Sequence, residues 1–325
     1  MAFSHSTYTT TRELTYSYIH ILPQLPNTQY LLFLHGFPST SYHWRHQISF
    51  FKAKGYGIIA PDLLGFGETS RPTELEMYKG EDMARDIVEI LTSEGVGTFV
   101  GVAHDWGCFL LSRLANYHPD RFSAYVYIDH GYMPPGRSLT TAMVQHINRS
   151  VEAKLGFSIL GYFLLFDDND APTLLDEHPE SVQSLYFSTD EEITKKYKGA
   201  LGGLRSWLTE GKTTELLAFL TSEVEVRRLM AGLRNINEED ERSMSFPSMS
   251  STSISYYLET AVWHLGFYIL LTLREIATDA HILTHPTLLI ASTNVITAAM
   301  DIPEQMRPFV ADLTVEQVAG GHCSS

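Results

Sequence analysis

The sequence predicts an α/β fold in which a mostly parallel central sheet is interrupted by a long helical insertion. Short apolar segments typical of buried strands alternate with helical patterns as far as residue 132. The patterns are then helical over residues 133–283, and strand character returns afterwards. Because strands that alternate with helices form parallel sheets with right-handed crossovers, we expect a core of residues 1–132 and 284–325 and a helical cap of residues 133–283.

The first predicted strands each lead into a glycine-containing loop. Residues 7–21 alternate loosely between polar and apolar and predict an opening hairpin. Residues 30–34 are continuously apolar, which is typical of a strand buried on both faces, and they lead into His-Gly-Phe-Pro at 35–38. A further short strand at 57–60 leads into Pro-Asp-Leu-Leu-Gly-Phe-Gly at 61–67. This Gly-x-Gly lacks the third glycine and the helix of a dinucleotide site, so it predicts no cofactor.

The segment around Asp105 is the most informative in the chain. Residues 99–102 predict a strand, and the apolar spacing after residue 108 predicts a helix. Between them, Ala-His-Asp-Trp-Gly at 103–107 has a small residue two positions to either side of Asp105. A sharp strand-to-helix turn leaves no room for larger side chains there, and it presents its central side chain at the positive end of a helix, where a carboxylate stays ionised. The structural alternative is that Asp105 only caps the helix.

The remaining strands end in further candidate residues. A strand over residues 124–129 ends in Asp129. Strand character returns at 286–291 and at 313–318, and the second of these leads into Gly-Gly-His, which ends at His322. Functional groups in a parallel sheet lie at the carboxyl ends of its strands. Asp129 and His322 are therefore candidates for the same site as Asp105.

Composition narrows the classes of function. The 325-residue chain has a net charge of −15, which disfavours nucleic acid and anionic membranes as partners. The most apolar run, residues 261–273, is shorter than the ~20 residues of a membrane span, and the N-terminus lacks a signal-peptide pattern. The two cysteines, Cys108 and Cys323, form neither a metal-type cluster nor a disulfide framework. We expect a cytoplasmic protein that holds no metal or cofactor. A homodimer is possible.

Taken together, the motifs resemble those of epoxide hydrolases of the α/β-hydrolase superfamily, in particular the soluble fungal type. The order and spacing of five motifs carry this resemblance: His35–Pro38, Trp44-Arg45, Ala60–Gly67, His104–Gly107 and Gly320–His322. The resemblance implies the α/β-hydrolase fold with an inserted helical cap. It also implies that Asp105 attacks the epoxide and forms an alkyl-enzyme ester, and that His322 activates the water that hydrolyses this ester to a vicinal diol.

The resemblance assigns roles to five further residues. The backbone N–H groups of Phe37 and Trp106 match the oxyanion hole of the family, and Trp44 lines the substrate pocket. Two cap tyrosines, expected at Tyr162 and Tyr257, hydrogen-bond the epoxide oxygen and supply its proton. Because the chain has 17 tyrosines, a packing role is the structural alternative for both.

The chain departs from the family at the third catalytic group, the acid that orients the histidine. The family usually carries this acid after the strand at 287–291, where this chain has the amide Asn294. Asp301 lies nearby in the sequence, and Asp129 ends the preceding sheet strand, where some haloalkane dehalogenases place their acid. We hypothesise that Asp129 is the acid, with a structural role at the strand end as the alternative.

Two other functions stay open. A haloalkane dehalogenase uses the same Asp–His chemistry and would find one halide donor in the indole of Trp106, but its second donor is not evident at 35–38. The other possibility is a catalytically impaired protein that binds an apolar ligand. It is favoured by the amide of Asn294 in the place of the acid, and by the fact that only three residues follow His322 where the family carries a final helix. The expected substrate is a bulky apolar epoxide, and opening or cyclisation of a secondary-metabolite epoxide is a compatible role.

Overall fold

The computed structural model describes residues 3–215, apart from residues 27, 136–140, 167, 169 and 189, together with residues 281–293 and 300–320. The described residues belong to two compact units, one formed by residues 3–135 and 281–320 and the other by residues 141–215. Three residues with predicted roles, Tyr257, Asn294 and His322, lie outside the described residues. The predicted domain boundaries at 132/133 and 283/284 stay a prediction.

Eight strands of the described chain form one sheet in the first unit. They are β1 (His5–Thr9), β2 (Thr15–Ile21), β3 (Tyr30–Leu34), β4 (Gly57–Pro61), β5 (Phe99–His104), β6 (Phe122–Ile128), β7 (Thr287–Ser292) and β8 (Leu313–Val318). Their order across the sheet is β1-β2-β4-β3-β5-β6-β7-β8. The pairs β1–β2 and β2–β4 are antiparallel, and the other five pairs are parallel. The mostly parallel sheet is therefore confirmed.

Helices connect the parallel strands of this unit. They are α1 (Arg45–Ala53), α2 (Gly80–Ser93), α3 (Gly107–Tyr117) and, between β7 and β8, the short α10 (Ile302–Met306). The α3 helix is buried along nearly its whole length, from Gly107 to Asn116. Because α3 starts directly after the central strand β5, residues at its N-terminus lie at the carboxyl edge of the sheet, where we expect the site.

Apolar side chains of β3, β4 and α1 form a large part of the core of this unit. Leu31, Phe33, Ile48 and Ile58 are at most 5% exposed and pack in one cluster. Strands buried in this way read as continuous apolar runs, which explains why β3 and β4 were predictable from short stretches of sequence.

The second unit is built from helices over its described residues. They are α4 (Thr141–Leu155), α5 (Gly161–Phe166), α6 (Ala171–Glu177), α7 (Pro179–Tyr186), α8 (Glu191–Ile193), a π-helical turn (Thr194–Gly199) and α9 (Gly203–Thr209). Buried Asn148 accepts hydrogen bonds from the N–H groups of Ile159 and Leu160 at 3.2 and 2.8 Å, which ties α4 to the start of α5. The described helices of the chain include none that is long and apolar enough to cross a bilayer.

Candidate active site

Asp105 occupies a strained turn between β5 and α3. Strand β5 ends at His104 and α3 begins at Gly107, so Asp105 and Trp106 alone make the turn. The φ angle of Asp105 is +52°, in the left-handed region that costs a non-glycine residue conformational energy and that is often found at functional sites. The side chain is largely buried, with 8% of the residue exposed. This geometry is the sharp strand-to-helix turn that the sequence predicted.

Two glycines allow backbone to come close to this turn. A Cβ atom on Gly107 would lie 2.3 Å from the carbonyl oxygen of Leu34 and 2.7 Å from that of His35. A Cβ atom on Gly36 would lie 2.4 Å from the Cβ of Asp105 and 2.5 Å from its Oδ1. Only glycine fits at either position, and the loop after β3 can therefore reach the carboxylate of Asp105.

The loop after β3 provides a hydrogen-bond donor to this carboxylate. The backbone N–H of Phe37 donates to Oδ1 of Asp105 at 3.0 Å. Such a bond favours the ionised carboxylate, and it aims a fixed dipole at the oxygen on which negative charge would develop during hydrolysis of an ester. The second predicted donor, Trp106, is the N-cap of α3 and directly follows Asp105. The structure thus brings Phe37 and Trp106 together with Asp105.

Two buried residues of the glycine-containing loops, His35 and Asp62, have structural roles that the sequence pattern does not reveal. His35 donates from Nδ1 to the carbonyl of Gly36 at 2.9 Å, and its Nε2 accepts from the N–H of Leu63 at 2.9 Å. Burial lowers the pKa of His35, in agreement with a neutral ring that accepts at one nitrogen. Asp62 accepts from the N–H of Ser41 at 2.8 Å. These side chains fix the loops that follow β3 and β4.

Asp129 follows β6 just as Asp105 follows β5. The preceding residues, His104 and Ile128, are paired in the parallel ladder, so the two aspartates start from neighbouring positions at the same edge of the sheet. Asp129 has φ +60° and is 1% exposed. Its Oδ1 accepts from the N–H of Ser292, the last residue of β7, at 2.7 Å. The carboxylate of Asp129 therefore lies at the end of the strand after which the family usually carries its acid.

The other described residue considered for this role, Asp301, has a different environment. It is exposed, has φ +48° and forms the N-cap of α10. Asp301 is therefore on the surface, whereas Asp129 is buried and bonded to the end of β7.

Trp44 lies in the hydrophobic core rather than on an open surface. It is 1% exposed, and its ring lies 5.0 Å from that of Phe33. The neighbouring His43 stacks on His104 with ring centroids 5.0 Å apart and an interplanar angle of 10°. This packing gives Trp44 a structural role, and its assignment to the substrate pocket stays a prediction.

Tyr162 lies on α5 in the second unit, within a group of aromatic rings. Its ring centroid is 5.6 Å from that of Phe166 and 6.2 Å from that of Tyr186. The ammonium group of Lys198, in the π-helical turn, lies 5.6 Å from the centroid of the Tyr162 ring. Tyr257 and His322 lie outside the described residues, so their relation to this geometry stays a prediction. The described residues contain no cluster of three or more side chains suited to a metal ion.

Parts of the sequence match a known family model and known proteins. Residues 29–157 match the family model of the alpha/beta hydrolase fold. Epoxide hydrolase 2 of Siraitia grosvenorii is 42% identical over 96 residues, which are 30% of this chain and 30% of that protein. Epoxide hydrolase srdG of Neurospora crassa is 33% identical over 153 residues, which are 45% of this chain and 44% of that protein. The chain thus spans less than half of the length of these relatives.

Solved structures match over nearly the whole chain. Epoxide hydrolase A from Mycobacterium thermoresistibile has a TM-score of 0.72 at 21% identity, over 99% of this chain and 93% of that one. Epoxide hydrolase VrEH1 from Vigna radiata has a TM-score of 0.66 at 22% identity, over 97% of this chain and 91% of that one. At these identities the likeness shows the fold alone, and it confirms the one predicted from the sequence.

Proposed function

We propose that this chain, which has the α/β-hydrolase fold and is related in sequence to epoxide hydrolases, is itself an epoxide hydrolase. These relatives confirm the resemblance to epoxide hydrolases that the sequence motifs indicated. The observation that supports the activity most strongly is the turn at Asp105, whose carboxylate accepts the N–H of Phe37 at 3.0 Å. A nucleophile and an oxyanion donor are thereby within one hydrogen bond of each other.

The first step of the proposed reaction is attack by Asp105 on an epoxide carbon. The carboxylate is already anionic at neutral pH and needs no general base, in contrast to a serine nucleophile. A bond forms between a carboxylate oxygen and the carbon, and the C–O bond of the ring to that carbon breaks. The oxygen stays on the other epoxide carbon as an alkoxide. Tyr162 and Tyr257 are the proposed donors of the proton that this oxygen takes up.

The second step is hydrolysis of the ester. His322 takes a proton from water, and the resulting hydroxide attacks the ester carbonyl. The N–H groups of Phe37 and Trp106 stabilise the oxyanion, for which a single donor contributes about 10²–10³ in rate. Collapse of the intermediate breaks the ester C–O bond, and the released alkoxide takes the proton of the new carboxylic acid, which gives the vicinal diol and restores the Asp105 carboxylate. The proton held by His322 replaces the one that the tyrosine gave up in the first step.

Asp129 is the proposed acid that orients His322 and stabilises its positive charge. Support comes from its burial and from the 2.7 Å hydrogen bond that it accepts from Ser292 at the end of β7. A carboxylate in this position supplies the charge that the amide of Asn294 does not carry.

The proposal extends to the substrate and its setting. The proposed substrate is a small molecule, a bulky apolar epoxide, and the net charge of −15 disfavours nucleic acid as a partner. The two cysteines fit a reducing, cytoplasmic location. A role in secondary metabolism and a homodimeric state belong to the same proposal.

Diol formation from a panel of aryl and alkyl epoxides tests the function. The wild-type chain is expected to produce diol and to carry the mass of one epoxide as an ester during single turnover, and Asp105→Asn is expected to do neither. In the same assay Tyr162→Phe is expected to slow ester formation by about 10²-fold, the lower end of the range for loss of a general acid. Diol from Asp105→Asn would contradict the nucleophile, and halide release from haloalkanes without diol would favour the dehalogenase.

A further inference from the structure

Four buried side chains on one side of α3 contact the segment that contains Asp129. They lie at spacings of four, five and eight residues, so they occupy one side of the helix. We call this set the α3 clamp, and its members are Cys108, Ser112, Arg113 and Asn116. The reaction proposed above uses none of them.

Two consecutive clamp residues hold both polar groups of the Met133 backbone. The N–H of Met133 donates to Oγ of Ser112 at 3.0 Å, and Nη2 of Arg113 donates to the carbonyl oxygen of Met133. The hydroxyl of Ser112 in turn donates to the carbonyl of Cys108 at 2.7 Å, one helical turn earlier. Met133 therefore cannot move along or away from α3 without loss of two hydrogen bonds.

The other two clamp residues contact the backbone just before Asp129 and the side chain just before Met133. The thiol of Cys108 lies 3.7 Å from the carbonyl oxygen of Ile128, and Nδ2 of Asn116 donates to the hydroxyl of Tyr132 at 2.7 Å. Contacts on both sides of Asp129 thus attach its segment to α3.

Arg113 provides the charged contact of the clamp. The residue is 1% exposed, and its guanidinium carbon lies 5.3 Å from the centroid of the Phe109 ring. Among the described residues it forms no ion pair, and its Nε and Nη1 have no hydrogen-bond partner. Burial of a cation with so few partners costs free energy, so loss of its charge-assisted hydrogen bond to the carbonyl of Met133 would destabilise the structure correspondingly.

We propose that the α3 clamp positions the carboxylate of Asp129 relative to Asp105, with Arg113 as its main positioning residue. Asp105 makes the turn into α3, and Asp129 begins the segment that α3 holds, so the helix is the rigid connection between the two carboxylates. This inference rests on the proposed function, in which Asp129 acts through His322 on ester hydrolysis and not on ester formation. The clamp consequently affects the second step alone.

Arg113→Met tests the proposal because it keeps much of the side-chain volume and removes the donor. Single-turnover mass spectrometry with the epoxide that the wild type opens fastest gives the rates of ester formation and of ester decay. Displacement of a catalytic group by ~1 Å can cost about 10²-fold, so we expect decay to slow at least ~tenfold, with formation within about twofold of wild type. Ser112→Ala, a smaller change, should slow decay by about threefold with the same selectivity.

Arg121→Met is the matched control. Arg121 donates to the carbonyl oxygens of Gly97 and Val96 at 2.7 and 2.6 Å, before the start of β5 and so away from the carboxyl edge of the sheet. Loss of these bonds should leave both rates within about twofold of wild type. The double variant Arg113→Met/Asp129→Asn should decay no more slowly than Asp129→Asn alone, since both changes disable the same group.

The outcomes distinguish this inference from the proposed function. The clamp would be overturned if Arg113→Met and Ser112→Ala slowed both steps equally, or if neither variant changed the rate of ester decay. In either case, an ester formed by the wild-type chain would still support the proposed function. A wild-type chain that never forms an ester at Asp105 would overturn the proposed function and the clamp together.

Discussion

At the residue scale, Asp105 and Asp129 share an unusual backbone conformation but have different hydrogen-bond partners. Their φ angles are +52° and +60°. Asp105 accepts from the N–H of Phe37, which belongs to the loop after β3, whereas Asp129 accepts from Ser292 at the end of β7. In the proposed reaction, the first carboxylate is the nucleophile and the second is the acid that orients His322. The same residue type thus serves two proposed roles.

Asp129→Asn should therefore affect one step of the reaction. The amide keeps the shape but neither holds His322 in the correct tautomer nor stabilises its protonated form, and the equivalent change in a catalytic triad costs about 10⁴ in rate. We expect ester formation near the wild-type rate and ester decay slower by about 10³-fold. Single-turnover mass spectrometry gives both rates.

Asp62→Asn serves as the control for this change. Asp62 is also a buried aspartate after a strand, 3% exposed, but it holds the N–H of Ser41 and has no proposed part in the reaction. Its ratio of decay to formation should stay that of the wild type. If Asp129→Asn decayed normally while Asp301→Asn decayed slowly, the acid would be Asp301.

At the scale of elements, α3 explains which parts of the site the sequence could predict. The turn at Asp105 was predictable because its requirement for small neighbours is local and lies within five residues of sequence. Arg113 was not, because a charged residue on a helix is usually exposed, and only the tertiary structure shows that α3 is buried on nearly every side. Phe37 contributes a backbone N–H, which residue type does not specify.

Gly36→Ala tests the close approach of the β3 loop to Asp105. The added methyl group would lie 2.4 Å from the Cβ of Asp105, so the loop and the Phe37 N–H must move away from the carboxylate. We expect both steps of the reaction to slow at least ~tenfold, since displacement and loss of an oxyanion donor each have effects of this size. Stopped-flow or single-turnover rates check this.

Gly97→Ala is the matched control, because a Cβ atom there meets no other atom within 4 Å. It should leave the rates unchanged. Wild-type rates in Gly36→Ala would show that the loop yields without cost and that the donor is not critical.

At the scale of the whole molecule, local sequence patterns predicted where the strands lie in the chain but not their order in the sheet. The six strands of the parallel part of the sheet, β3 to β8, were predicted within a few residues of their observed bounds, and β3 to β7 are recognisable as short apolar runs. The position of β4 outside β3, and the two antiparallel pairs at that edge of the sheet, depend on pairing between distant segments. A single sequence contains no direct signal for that order.

One buried ion pair links distant segments of the first unit, and it makes global stability depend on pH. Asp86 of α2 accepts from Nη1 of Arg12 at 2.7 Å and from the hydroxyl of Tyr16 at 2.9 Å, which attaches the β1–β2 hairpin to the helix. Both bonds are made by Oδ2, and among the described residues Oδ1 has no hydrogen-bond partner. Burial raises the pKa of Asp86 to about 6, although the Arg12 charge opposes this shift.

The sign of the pH effect follows from this raised pKa. An unfolded aspartate has a pKa of about 3.9, so between pH 6 and 4 the folded chain binds the proton more tightly and its stability increases as pH falls. The free energy of unfolding of the wild type minus that of Asp86→Asn, from urea unfolding, should rise by about 2 kcal/mol between pH 7 and pH 4. Asp82→Asn on the same helix removes a surface ion pair with Arg85, and its difference from the wild type should change by less than about 0.5 kcal/mol over that range. A difference for Asp86→Asn that stayed flat, or that fell as pH was lowered, would mean that the Arg12 charge outweighs burial and that Asp86 stabilises the fold as an ionised group.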